Sequence, residues 1–320
     1  MNHPQSDGSC RTEKGVTMKY LLGMDVGGTR TRIGAVLPDG STLAAPCRVY
    51  DSSVLAGDAD PAQTLAGLIN TYLSSESLPA KGMLAAAAGM PASVSRDLNT
   101  LCEVPNIPNP NLSHYPLGSR LQQILQVPCL IDKDVNLLLR QDIKSAGLSG
   151  VVAAVYIGTG IGTAVSLDGR LLYGTRGFAM DVGHMPMFHV TERCGCGKTG
   201  CAETVASGRV LRSLRDRLYP ETSMERLFTE HGEEEPLRTY VENCAYVPAT
   251  LATVFDPSAM ILGGGVVEME DFPKAFLEEK ILQLTGRAVA GAGFSMVYPE
   301  KDDARGVLGA ALLLKERILL

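Results

Sequence analysis

The chain carries no excess of positive charge: 29 Lys and Arg stand against 35 Asp and Glu, a net of −6 over 320 residues. Neutralising the phosphates of nucleic acid or of an anionic membrane takes clustered Lys and Arg, so neither is an expected partner. Long apolar runs are also missing, because each apolar stretch is short or broken by glycine and none would span a bilayer. Residues 1–17 are polar and contain no apolar core of signal-peptide length, so they read as a disordered extension ahead of Met18. The body of the chain has no low-complexity segment. Five of the eight cysteines (Cys10, Cys47, Cys102, Cys129 and Cys244) are scattered, a usage that fits reduced thiols. A cytoplasmic protein is the expectation, and 320 residues predict two domains.

The other three cysteines are concentrated in Cys194-Gly195-Cys196-Gly197-Lys198-Thr199-Gly200-Cys201, with His184 ten residues upstream. Three thiolates and a neutral imidazole suit a tetrahedral zinc site, and the glycines allow a tight wrap around an ion. The alternative is a set of small loop cysteines; a disulfide framework fits less well, since three thiols cannot all pair among themselves. His189 competes as a ligand by proximity, with a free surface histidine as its plain reading.

Two stretches share one pattern of apolar strand, Gly/Thr turn and apolar strand. Tyr20–Val26 breaks at Gly27-Gly28 and resumes at Thr31–Leu37; Val151–Ile157 breaks at Gly158-Thr159-Gly160-Ile161-Gly162 and resumes at Thr163–Leu167. The repetition predicts two similar halves. In the first turn, backbone N–H groups and the Thr29 hydroxyl can grip an anion, and Asp25 is placed to hold a hydrated Mg²⁺. Neither turn is a P-loop, and because each joins strand to strand the dinucleotide fingerprint fails its context test. One such turn is equally a plain hairpin turn; two point to a phosphate chain held between the halves. Helical periodicity runs over Ala62–Ser74, Leu137–Ile143, Val205–Leu218, Pro236–Phe255 and Gly306–Leu320, the last read as amphipathic. Strands are expected at Met83–Ala88, Val127–Ile131 and Ala259–Leu262.

Asp134 follows the Val127–Ile131 strand and opens a helix, where rigid elements would fix a general base for phosphoryl transfer. A helix N-cap at Asp132 or Asp134 is the structural alternative. Gly263-Gly264-Gly265 ends the Ala259–Leu262 strand and either offers bare backbone to an adenine or ribose or is a flexible loop.

In this order the motifs resemble the ROK family of sugar kinases and repressors, from about Tyr20 to the C-terminus. The resemblance rests on Asp25–Thr29, Gly158–Gly162, Gly183-His184 and the Cys194/Cys196/Cys201/Glu203 signature. Lys133–Leu137 and Phe255–Val267 look most like the family's D-allose kinase branch. The resemblance implies an α/β, actin-like ATPase (RNase H-like) fold of two domains with a cleft between them. It divides the chain into 18–136 with 305–320, and 137–304 bearing the zinc loop. It implies transfer of phosphate from ATP, with Mg²⁺, to the 6-hydroxyl of a hexose by a homodimer. Asp134 takes the family's catalytic position; Asn106, Lys133, Asp181, His184 and Glu203 take sugar-contacting ones. Asp25, Gly27, Gly28, Thr29, Gly158, Thr159, Gly160, Gly162 and Gly263–Gly265 fall to the nucleotide. His184, Cys194, Cys196 and Cys201 match ligands of a structural zinc. The usual Asn before the catalytic Asp is Lys133 here, and the usual Glu before Gly-His is Asp181, so a hexose other than glucose is expected. A repressor of the family needs a helix-turn-helix ahead of the first phosphate motif; the 24 residues before Asp25 show no helical apolar pattern, so DNA binding is not expected.

Overall fold

The computed structural model describes residues 18–105 and 107–319. The disordered extension expected at 1–17 and the sugar contact expected at Asn106 lie outside them. Two five-stranded sheets are built on one plan. The first contains β1 (Tyr20–Val26), β2 (Arg30–Val36), β3 (Leu43–Asp51), β4 (Met83–Met90) and β7 (Cys129–Lys133), in the order β3-β2-β1-β4-β7. The small pair β5 (Ser93–Val94) and β6 (Leu101–Glu103) stands apart. The second sheet contains β8 (Val151–Ile157), β9 (Ile161–Leu167), β10 (Arg170–Leu171), β11 (Ala259–Gly263) and β12 (Ser295–Val297), in the order β10-β9-β8-β11-β12. Each sheet opens with an antiparallel meander and ends with two parallel strands. The likeness read from the turns is therefore a likeness of whole sheets.

Helices cover both faces. The outer face of the first sheet packs α1 (Pro61–Ser75) and α2 (Leu117–Leu125); the second sheet's outer face packs α7 (Glu235–Phe255) and α8 (Lys274–Leu284). Between the sheets lie α3 (Asp134–Ala146) and α10 (Arg305–Arg317), α10 against the first sheet and α3 against the second. The remaining helices are short or peripheral: α4 (Glu203–Ala206), α5 (Gly208–Leu218), α6 (Leu227–His231) and α9 (Arg287–Ala292).

Two expectations need correction. The terminal helix is not amphipathic over most of its length: from Arg305 to Leu314 every residue but Leu312 is buried, because α3 covers the side that β1 and β4 do not. Burying Val307, Leu308, Leu313 and Leu314 in this seam contributes about 1.5–3 kcal/mol for each side chain. The single helix expected over Val205–Leu218 is two, parted at Ser207, which is extended (φ −98°, ψ 166°). Tertiary bonds hold it there, since Gly208 N–H donates to the Gly158 carbonyl at 2.8 Å and the Tyr240 hydroxyl donates to the Ser207 carbonyl at 3.2 Å.

Candidate active site

Both Gly/Thr turns sit at the same end of their sheets and leave donors open. In the first, Gly27 N–H closes the hairpin on the Arg30 carbonyl at 2.9 Å, and the N–H groups of Gly28 and Thr29 have no partner among the described residues. In the second, Gly158 N–H bonds the Gly160 carbonyl at 2.9 Å, and Thr159 and Gly160 N–H remain open among the described residues. Open amides and an exposed threonine give each turn donors suited to phosphate oxygens.

Asp25 lies at the end of β1, half-buried, with Arg32 at 3.7 Å. Burial raises its carboxyl above the ordinary range, opposed by the charges of Arg32 and Arg305. It packs on the first turn of α10, where a Cβ on Gly306 would stand 2.5 Å from the Asp25 Cγ. Only glycine permits that approach. Gly306→Ala is therefore expected to destabilise the fold by about 1–3 kcal/mol through overpacking, against the roughly 1 kcal/mol that alanine gains in an ordinary helix. Thermal melts check the sign, and a stabilised variant would contradict the contact.

Asp134 is the first residue of α3. It is not the N-cap: Lys133 occupies that position without a side-chain bond, and Asp134 Oδ1 accepts only the neighbouring Val135 N–H, at 2.8 Å. Asp132 does not cap either. Its Oδ1 accepts from Lys133 N–H (2.8 Å) and Asn136 Nδ2 (2.7 Å), and its Oδ2 from the Tyr173 hydroxyl (2.6 Å), in a buried structural network. The Asp134 carboxyl is locally open yet set deep in the protein. That burial, with the negative charge of Asp25 next in weight, raises it to about 7. A carboxyl raised to about 7 can exchange a proton near neutral pH.

Lys133 is buried and donates from Nζ to the Ala179 carbonyl at 2.9 Å. Its ammonium lies in the field of Asp181, Asp132 and Asp134, which counter the downward pull of burial. Asp181 is exposed, and its Oδ1 is 3.9 Å from His184 Nε2. The other ring nitrogen, Nδ1, is 3.5 Å from Cys194 Sγ, and Cys196 and Cys201 Sγ lie 3.7 Å apart. All four ligand atoms fall within 4.8 Å of one another. Tetrahedral zinc with bonds of about 2.3 Å to sulfur sets neighbouring sulfurs about 3.8 Å apart, so this donor set fits the ion. His189 is exposed and stands outside the group. The seven cysteines among the described residues are free thiols.

Glu203 is engaged within the protein on both carboxylate oxygens. It is buried, and its Oε2 accepts Ile161 N–H at 2.9 Å in the space that a side chain on Gly160 would fill. Its Oε1 accepts Arg209 Nη2 at 2.7 Å. The metal loop is thus tied to the second Gly/Thr turn. At the third glycine motif, Gly263 packs on the Tyr156 ring and Gly264 (φ +89°) against Ile157 backbone, while Gly265 faces open space.

Sequence reasoning missed one further cluster. Arg305 grips Asp142 through Nε (2.9 Å) and Nη2 (2.7 Å) and Glu268 through Nη1 (2.9 Å); the Tyr156 hydroxyl donates to Asp142 at 2.7 Å, and Gly264 N–H to Glu268 at 3.2 Å. This ties the Gly263–Gly265 turn to both central helices. Its partners lie 163 positions apart, and no local pattern marks them.

Known proteins bear on this arrangement. A glucokinase of Thermotoga maritima is 28% identical over 320 aligned positions, covering 93% of this chain and 98% of the relative. A ROK family glucokinase from Streptomyces griseus, solved with glucose and AMPPNP, superposes with a TM-score of 0.75 at 23% identity, covering 93% of this chain and 99% of that one. A ROK family transcriptional regulator, a homologue of the E. coli MLC protein, superposes at 0.77 with 19% identity, covering 93% and 78%. These likenesses establish the actin-like ATPase fold. No helix among the described residues is long and apolar enough to cross a membrane. With the family pattern matched over residues 21–317, across both sheets and the cysteine loop, the chain belongs to the ROK family.

Proposed function

We propose that the protein is an ATP-dependent hexose kinase that phosphorylates the 6-hydroxyl, with D-allose as the favoured hexose. The observation that carries this reading is the Asp134 carboxyl, raised to about 7 at the head of α3 beside Asp25 and near two open Gly/Thr turns. The donor's phosphates would lie on the amides of Gly28, Thr29, Thr159 and Gly160, with adenosine toward Gly265. Asp25 would hold Mg²⁺ through water, and the ion would offset the charge of the phosphates. Zinc on His184, Cys194, Cys196 and Cys201 would be structural, fixing the loop that carries Asp181 and Glu203. The cleft is assigned between 18–136 with 305–320 on one side and 137–304 on the other.

Asp134 would accept the proton of the hydroxyl as its oxygen bonds to the γ-phosphorus and the bond to the β–γ bridging oxygen breaks, releasing ADP, while closure excludes water that would otherwise hydrolyse the donor. The preference for allose is supported by Lys133 and Asp181. The lysine brings a hydrogen-bonded cation to the edge of the site, and Asp181 is one methylene shorter than the family's Glu. A coupled assay of ADP release over allose, glucose, mannose, fructose and N-acetylmannosamine tests the reading on zinc-loaded protein. The highest kcat/KM is expected with allose, and the product is expected to be a 6-phosphate. A clear preference for glucose would remove the allose assignment, and no sugar-dependent ADP release would remove the kinase.

A further inference from the structure

Glu203 sits where a phosphate oxygen would compete with it. Its Oε2 takes the Ile161 N–H, next to the open amides of Thr159 and Gly160, so a buried negative charge borders the anion surface. The charge is balanced by Arg209 at 2.7 Å from Oε1, one carboxylate width from the turn. Arg209 is also bound to the turn through its backbone, its N–H donating to the Thr159 carbonyl at 3.4 Å. Yet its side chain is 47% exposed. It edges an open groove of about 470 Å³ with Arg212, Ser213, Asp216 and Arg217. Arg212 and Arg217 have no ion-pair partner among the described residues, so the groove presents positive charge beside the turn.

An anion arriving on the turn meets Glu203 as a like charge and Arg209 as the nearest movable cation. We propose that Arg209 is a shared counter-ion. It holds Glu203 while the donor site is empty, and it turns to a donor phosphate oxygen when that site fills. Oε1 of Glu203 is then free to accept from a hydroxyl of the sugar, while Oε2 stays on Ile161. Arg209 is in this sense a positioning residue that makes donor and acceptor bind cooperatively. The proposal rests on the kinase reading, whose own test is turnover.

Calorimetry of the best hexose, with and without AMPPNP, tests it. In the wild type AMPPNP is expected to tighten hexose binding at least fivefold, and by linkage hexose tightens AMPPNP by the same factor. Arg209→Gln keeps a hydrogen bond but no charge, and Arg209→Ala keeps neither; both are expected to bring the factor within twofold of unity. Without nucleotide, Arg209→Ala, which releases Oε1 of Glu203, is also expected to bind hexose more tightly than the wild type does, a change that mere loss of structure would not produce. Arg209→Lys is expected to retain part of the coupling. Wild-type coupling in a folded Arg209→Ala variant, or no coupling in a wild type that turns over, would overturn the proposal. A wild type that turns over no hexose would instead overturn the kinase reading.

Discussion

Asp134→Asn is expected to lower kcat by roughly 10²–10⁴-fold, the usual contribution of a positioned general base, while the hexose Kd stays within about threefold of wild type on the same hydrogen-bond arithmetic. Asparagine keeps the shape and the bond to Val135 but cannot take a proton. The same substitution is expected to stabilise the fold at pH 8. In the unfolded chain this carboxyl ionises near 3.8, and in the folded protein it ionises only at about 7. The folded state therefore loses stability through this group as pH rises from about 4 toward 7, and the loss is complete at pH 8. At about 1.4 kcal/mol per pH unit the upper bound is about 4 kcal/mol. Cleft water screens part of that, leaving a gain of about 1–2 kcal/mol in the variant. Melts at pH 8 and pH 4 separate the effects: the stabilisation is present at the first and absent at the second. Retained turnover would take the base role from Asp134, and a loss of stability at pH 8 would take away the account of its raised carboxyl.

Removal of the metal is the second large effect. Removing the proposed zinc with a chelator, or replacing Cys201 with Ser, is expected to free the segment from His184 to Cys201, which Asp181 and Glu203 flank. Loss of two or three sugar hydrogen bonds at about 1 kcal/mol each is expected to weaken hexose binding by roughly 30–150-fold. Nucleotide binding is expected to weaken less, since the open amides of Gly28, Thr29, Thr159 and Gly160 lie outside the loop, which reaches the second turn through Glu203, directly and by way of Arg209. Calorimetry on metal-stripped protein, with folding verified by circular dichroism, measures both affinities. Unchanged hexose affinity in folded, zinc-free protein would separate the metal loop from the sugar site.

The strands carrying the two turns could be read from the sequence because each is a continuous apolar run closed by glycine. β1 and β8 have the expected limits, Tyr20–Val26 and Val151–Ile157. Between β9 and β10, Asp168 and Gly169 both take positive φ (49° and 81°), as a two-residue hairpin turn requires. β3 was not legible. It is an exposed edge strand with Pro46 inside it, so it carries neither an alternating nor an apolar signal. The burial of α10 escaped notice because its second face is covered by α3, a contact that periodicity within one helix cannot reveal. In the site, Asp25, Asp134 and the cysteine group were marked by local spacing. Arg209 and Arg305 were not, because their roles come from Glu203 and Asp142, which meet them only in the folded chain. Glu203 was found by its signature, but its engagement by Ile161 and Arg209 depends on the missing side chain of Gly160, a fact of packing.

The central claim is that one carboxylate, Asp134, takes the acceptor's proton, and the pH dependence of kcat/KM for hexose tests it most directly. That ratio reports the free enzyme. The Asp134 carboxyl at about 7 must be ionised to act. The account predicts a plateau above pH 8 and an acid limb that bends near pH 7 and falls about tenfold per unit below it. A profile flat from about pH 5.5 to 8.5 in the wild type would contradict it.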